Sequence, residues 1–159
     1  MDKLEYIPGD LVMTNGVPLG TAKNVVYRVT SSDPSKTLKL DDETELKGVV
    51  RLENIEGAEF GDKGYLLAEC CAWVKDIIPI PLTPAILEKN GWEDTYDTGF
   101  YCSPNEKGIS VFLPSRLVGS IMNAYTAHIR LLRSNISSVS DLQHLLFGLG
   151  LNSEMDVDV

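Results

Sequence analysis

The stretch Ile77 to Glu93, IIPIPLTPAILEKNGWE, packs three prolines, a helix start and a helix stop into seventeen residues. A proline locks its own φ and drives the preceding residue out of the helical region, so Pro79 and Pro81 hold the chain extended. Thr83 is suited to N-cap a helix, and Pro84 falls at the first helical position, where its missing N–H costs nothing. Ile86 and Leu87 then face inward, Gly91 ends the helix at the C′ position, and Trp92 folds back as an apolar cover. Neither a strand nor a helix can run unbroken through such a passage, so the chain divides near residue 79.

Before this joint, short strands alternate with turn chemistry. IPGDLVMTNGVP supplies an apolar strand and then Asn15-Gly16, a pair that accepts the positive φ angles of a tight turn. NVVYRVTSS alternates, with Val25, Tyr27 and Val29 on one side and Val26, Arg28 and Thr30 on the other. KTLKLDDETELKGVVRLENI supplies another alternating pair of strands, and GDKGYLLAECCAWVKDI opens on a turn and runs into an apolar strand. Several short strands without a helical period predict a small antiparallel barrel over residues 1–79.

After the joint, TGFYCSPNEKGISVFL predicts a hairpin that turns between Ser103 and Gly108, with a return strand buried on both faces. LVGSIMNAYTAHIRLLRSN is ambiguous in period, although its end, AHIRLLR, reads as a strand. Val139, Leu142, Leu145, Leu146 and Leu149 fall at helical spacing and form one stripe. Ser138 as N-cap, with Asp141 three residues on, sets the start of this closing helix, and Gly148 and Gly150 stop it, giving bounds of about 138–148. Residues 80–153 thus form a strand-and-helix unit. The acidic end, 154–159, is expected to fray.

Composition narrows the function classes. The chain of 159 residues is 43% hydrophobic, enough for a core, and has 23 acidic against 14 basic side chains, a net charge of −9. That balance disfavours broad nucleic-acid binding, which needs a surplus of Lys and Arg to neutralise phosphates. One stretch runs the other way: from Ser110 to Gly150, Arg116, Arg130 and Arg133 face the single acid Asp141. Three cysteines, two of them the adjacent Cys70 and Cys71, do not make a disulfide framework and point to a reducing cytosol. MDKLEYIPGD has no apolar leader core, and no apolar run approaches the roughly 18–20 residues of a membrane span. Neither secretion nor membrane insertion is expected, so the Asn135-Ile136-Ser137 sequon carries little weight.

The motifs that could carry chemistry weaken under inspection. Asp97-Thr98-Gly99 is the tripeptide of aspartic proteases, but its flanks, Thr95-Tyr96 and Phe100-Tyr101, favour a turn. Cys70, Cys71, Cys102, His128 and His144 contain no pair at zinc-ligand spacing, and adjacent cysteines on a strand point to opposite faces. No serine or cysteine sits in a nucleophile-elbow context, and His144 lies off the leucine stripe at a solvated helix position. The acidic run Asp41 to Glu45 lacks the spacing of a calcium loop, and Gly148-Leu149-Gly150 falls at a helix end, where it cannot cradle phosphate. Tyr6, Tyr27, Tyr65 and Trp73 read as core fillers before they read as a recognition surface.

Two passages carry a family resemblance. Pro79-Ile80-Pro81-Leu82-Thr83 followed by PAILEKNGW, together with the closing ISSVSDLQHLLFGLGL, resembles small uncharacterised proteins of gut Bacteroidetes, their prophages and other mobile elements. The resemblance implies a β-rich first portion, a short helix ending in glycine plus an aromatic, further strands and a closing helix. It also implies a phage or mobile-element setting, and it transfers no catalytic residue.

The expectation is an α+β chain: a small SH3-like antiparallel β-barrel followed by a compact strand-and-helix unit. No catalytic, cofactor-binding or metal-binding residue is assigned. The expected role is that of a non-enzymatic interaction or structural protein with a protein partner, in the virion or the host cytoplasm, using Arg116, His128, Arg130 and Arg133. The alternatives are nucleic-acid binding through that arginine-bearing face, and an acidic inhibitor of a host protein. Oligomeric state is not legible in the sequence.

Overall fold

A computed structural model describes residues 5–15, 25–54, 69–95, 97–126, 129–130 and 135–157, with the backbone alone described at residues 54, 69, 70, 129 and 130. The chain forms two compact units that divide between Pro79 and Ile80, and its secondary structure is mixed α and β.

The first unit is one antiparallel sheet of β1 (Leu11–Thr14), β2 (Tyr27–Lys39), β3 (Glu45–Asn54), β4 (Glu69–Trp73) and β5 (Ile77–Pro79), in the order β4-β3-β2-β1-β5. The alternation in β2 places Tyr27 and Val29 in the core and Arg28 outside, where it pairs with Glu53 across the ladder at 3.1 Å. Tyr6, Val12, Val50, Leu52, Ala72 and Ile77 complete the cluster around them. The sequence predicts a break between NVVYRVTSS and KTLKL, whereas β2 is a single strand that absorbs the intervening residues. Its register shifts between Val29 and Ser31 and again between Asp33 and Thr37. Pro34 fits there because it falls in the second shift, where the pairing of β2 with β3 is interrupted, and β1 pairs with β2 only at Tyr27 and Arg28, so no ladder bond needs its missing N–H.

A one-turn 3-10 helix, Val74–Asp76, joins β4 directly to β5. In a flat sheet, four strand spacings of roughly 4.8 Å would hold these two edge strands about 19 Å apart. Trp73 and Ile77 are only four residues apart, a reach of at most about 14 Å, so the sheet must curl. No closed barrel is found, because among the described residues no ladder joins β4 to β5. The corner is fixed by buried Asp76, whose carboxylate accepts from the Asn15 amide at 2.9 Å and from Lys75 Nζ at 3.1 Å. Asn15 therefore has a bonding role at this corner, while Gly16, its expected turn partner, lies outside the described residues.

Gly48 faces the same corner with φ +82, and a Cβ there would lie 2.8 Å from Val74 Cγ2. Gly48→Ala combines left-handed strain with overpacking and should cost about 2–3 kcal/mol. A lower urea midpoint at unchanged slope is the expected result, and an unchanged midpoint would contradict it.

The second unit contains α1 (Pro84–Lys89), β6 (Glu93–Thr95), β7 (Phe100–Cys102), β8 (Val111–Pro114), β9 (Tyr125–Thr126), β10 (Ile129–Arg130) and α2 (Val139–Gly148). Its strands form an antiparallel meander, β10-β9-β8-β7-β6. Thr83 Oγ1 accepts from the Ile86 amide at 3.2 Å, and at the other end of α1 the Gly91 and Trp92 amides donate to Glu88 O and Leu87 O, both at 3.0 Å. These two bonds across a left-handed Gly91 are the Schellman arrangement, and Trp92 is 4% exposed. In α2, Ser138 and Asp141 cap each other reciprocally, and Gly150 with φ +73 closes the far end. The extended joint runs against the start of α2: Pro81 bridges Ser138, and the Val139 amide donates to Ile80 O at 2.8 Å.

Three expectations for this unit change. The hairpin reverses at Lys107 and Gly108, which have φ 54 and 77 as a two-residue hairpin turn requires, and Phe112 on the return strand is half-buried, not buried. Of AHIRLLR, only Ile129–Arg130 is described as strand. The chain end is docked where fraying was expected. Leu151 and Met155 are buried, Asp156 exchanges two 2.8 Å bonds with the Asn90 side chain, and the Gln143 side chain donates to Ser153 O at 3.1 Å. Two apolar anchors among acidic residues outweigh the composition, since each buried side chain of that size is worth about 1.5–3 kcal/mol.

Candidate functional site

Arg116 is exposed, on the one-turn 3-10 helix Ser115–Leu117 that follows β8. The Arg130 backbone pairs with Tyr125 at the edge of the second sheet. His128 and Arg133 lie outside the described residues. The structure thus places two of the four expected residues, on separate segments. Residue type alone singled them out, and it says nothing of what stands beside them.

The discounted motifs resolve into backbone roles. Asp97, Thr98 and Gly99 form the turn between β6 and β7, where the Thr98 and Gly99 amides donate to Thr95 O at 2.9 and 3.0 Å. Asp41 accepts from the amides of Glu43 and Thr44 at 2.8 and 2.6 Å, which closes the β2–β3 turn and holds its carboxyl below the usual range. Among the described residues no three of His, Cys, Asp and Glu gather as a metal site. His144 is half-buried, because it sits beside the α2 stripe and not opposite it. Tyr6 and Tyr27 are core residues, Trp73 is half-buried, and Tyr65 lies outside the described residues.

The features that sequence reasoning missed are exposed apolar side chains. β2 and β3 outrun their neighbours, and every residue from Ser35 to Glu45 is exposed. Together they form a two-stranded arm, laddered by Thr37 with Lys47, Leu38 with Leu46, and Lys39 with Glu45. Leu38 and Leu40 stand out from it, 47% and 59% exposed. A second exposed set lies on the loop after β8, where Leu117 and Ile121, which follow Arg116 in the chain, are 37% and 70% exposed. This loop is anchored at both ends. Ser115 donates from its amide to Gly99 O at 2.9 Å and from its hydroxyl to Asp94 at 2.8 Å, while buried Met122 exchanges backbone bonds with Ile136. The sequence carried no signal for this overhang, because it predicts a break where β2 runs on, and the thirteen residues of β2 against four in β1 appear only in the fold.

A third feature is aromatic. Phe100 meets Phe112 and Tyr125 edge to face, with ring centroids 6.4 and 5.3 Å apart, across the three central strands of the second sheet. All three are half-buried. By contrast, the depression beneath the docked end, lined by Trp92, Glu106, Leu146, Asn152 and Met155 among others, holds about 110 Å³. Small-molecule sites run to roughly 300 Å³ and more, so this depression is better described as the seam under the docked end.

Among the described residues no helix is long and apolar enough to cross a membrane. No protein-family model, no curated protein and no solved structure matches this chain.

Proposed function

We propose that this protein is a non-enzymatic interaction or structural protein, working in the phage or mobile-element setting that its joint and closing helix resemble, in the virion or the host cytoplasm. The observation that supports this reading is the pair Leu38 and Leu40, 47% and 59% exposed on the two-stranded arm. Apolar groups ringed by charge are the usual form of a docking patch. For the first unit we propose an SH3-like half-barrel. The strand order, with β5 returning beside β1 through one helical turn, supports it.

The test is a double variant, Leu38→Ser with Leu40→Ser. Both side chains already stand half in water, so the fold should survive. Affinity for a protein partner purified from cells carrying the element should fall by at least about tenfold, the equivalent of roughly 1.4 kcal/mol. Undiminished binding would refute the reading, as would a turnover abolished by Asp97→Asn or His128→Ala.

A second reading, single-stranded nucleic-acid binding, draws support from the Phe100, Phe112 and Tyr125 cluster beside an arginine-bearing strand, since such platforms stack bases. It requires binding of an oligonucleotide that weakens steeply with salt and with Arg130→Ala or Phe112→Ala. The leading reading expects no such binding, and the net charge of −9 favours that outcome.

A further inference from the structure

Side chains of three elements hold the segment 152–156 by its backbone. Asn90, at the end of α1, donates from Nδ2 to Asp156 O and accepts from the Asp156 amide at Oδ1, both at 2.8 Å. Its Nδ2 also donates to Ile86 O at 2.8 Å, which fixes the plane of the amide. Gln143 of α2 donates to Ser153 O at 3.1 Å, and Glu106, in the turn between β7 and β8, accepts from the Asn152 amide at 2.8 Å. A side-chain amide that pairs with both the N–H and the C=O of one residue reads an extended strand, whatever its sequence. Selectivity in such a groove comes from a side-chain pocket, here the one that Met155 enters beside Trp92 and Leu146.

The segment fits this groove poorly. With it docked, a depression of about 110 Å³ remains among Trp92, Pro104, Leu146 and Met155, near the roughly 150 Å³ that admits a benzene ring in a protein core. Close-packed contacts leave few gaps of that size. Glu106 and Glu154 line the same depression, so the segment brings a second carboxylate to a place that already holds one. A net charge of −9 adds to that repulsion.

We propose that this groove is a peptide-binding site, that segment 152–156 is its resident placeholder, and that its ligand is an extended segment of a partner protein. The ligand carries an aromatic side chain where this chain has Met155 and a basic one where it has Glu154. The ring fills the depression, the cation pairs with Glu106, and Asn90 and Gln143 read the ligand's backbone as they read the resident's. A tethered occupant competes at an effective concentration on the order of millimolar, which sets a threshold that a loosely matched segment does not pass. The site goes beyond the Leu38 and Leu40 arm, a feature of the first unit, by giving the second unit a binding surface of its own.

The experiment uses the full chain, labelled synthetic peptides of residues 150–157, and fluorescence anisotropy. One peptide has the parent sequence and the other carries Glu154→Lys with Met155→Phe. A Met155→Ser chain, checked by circular dichroism, keeps the groove and loses the anchor of its resident segment. It should bind the substituted peptide at least about tenfold tighter than the parent chain does, and at least about tenfold tighter than it binds the parent peptide. Methylating the peptide nitrogen at the Asp156 position removes the N–H that Asn90 accepts, and should weaken binding by about tenfold or more. Glu154→Lys with Met155→Phe placed in the full chain should slow amide exchange over residues 153–157, a readout that needs neither a free peptide nor an opened groove. No saturable binding of the substituted peptide to the Met155→Ser chain up to about 500 µM would overturn the proposal. So would equal affinity for the two peptides, indifference to the N-methyl group, or exchange that is unchanged or faster. Loss of a purified partner by the arm variant is a separate measurement, so failure here leaves the arm reading standing.

Discussion

Trp92→Ala should destabilise the second unit by about 3–5 kcal/mol, the usual cost of emptying a buried aromatic site. Trp92 is 4% exposed and sits just past the end of α1, where its amide bonds to Leu87 O. The backbone stop at Gly91 would persist, because glycine supplies the left-handed φ, but the ring that covers the helix end would be gone. Trp92 also lines the seam under Leu151, Asn152 and Met155, so the chain end should undock first. The expected result is a lower denaturation midpoint by circular dichroism, with amide exchange accelerated most over residues 151–157. Trp92→Phe should recover most of the loss. A change below about 1 kcal/mol would show that the ring is not the packing element described here.

Tyr27→Ala should cost the first unit a similar amount, about 3–5 kcal/mol. Tyr27 is fully buried at the centre of the curled sheet, paired with Val12 on one side and Asn54 on the other. Its core cluster is small, so few neighbours can close the cavity. The chain has two tryptophans, one in each unit, and in a Trp92→Phe background Trp73 reports the first unit alone. Against a total stability of roughly 5–15 kcal/mol, this loss should lower the midpoint of the Trp73 transition by at least about a fifth. A Trp73 transition at the parental midpoint would place the core elsewhere.

The joint was legible because its chemistry is local. Thr83, Pro84, Gly91 and Trp92 each meet a backbone requirement set within a few residues, and the same holds for Ser138, Asp141 and Gly150 at the ends of α2. The alternation of Tyr27, Arg28 and Val29 was likewise readable, since a strand repeats every two residues. Leu38 and Leu40 are also spaced two apart, on a phase that the register shift after Val29 resets, and yet are exposed. Whether their face is covered depends on where neighbouring strands stop, and β1 and β4 stop short of them. The docked end escaped notice for a related reason: its acids dominate the composition, while Leu151 and Met155 decide its position.

The candidate surfaces show the same division. Arg116 was visible by residue type, but the course of its loop, which leaves Leu117 and Ile121 exposed, depends on the anchoring of Ser115 to Gly99 and Asp94 and of Met122 to Ile136, all distant in sequence. The meeting of Phe100 with Tyr125 likewise requires three strands to lie side by side.

The sequence by itself determined where the chain divides, how its two helices begin and end, and which side of β2 is apolar, because these rest on φ preferences, capping bonds and side-chain period. Only the tertiary structure decided which apolar residues are left uncovered, that the acidic end docks, and how the loop bearing Arg116 is anchored. Those outcomes depend on the lengths and contacts of elements far apart in the chain, where burial is a property of the neighbours and not of the residue.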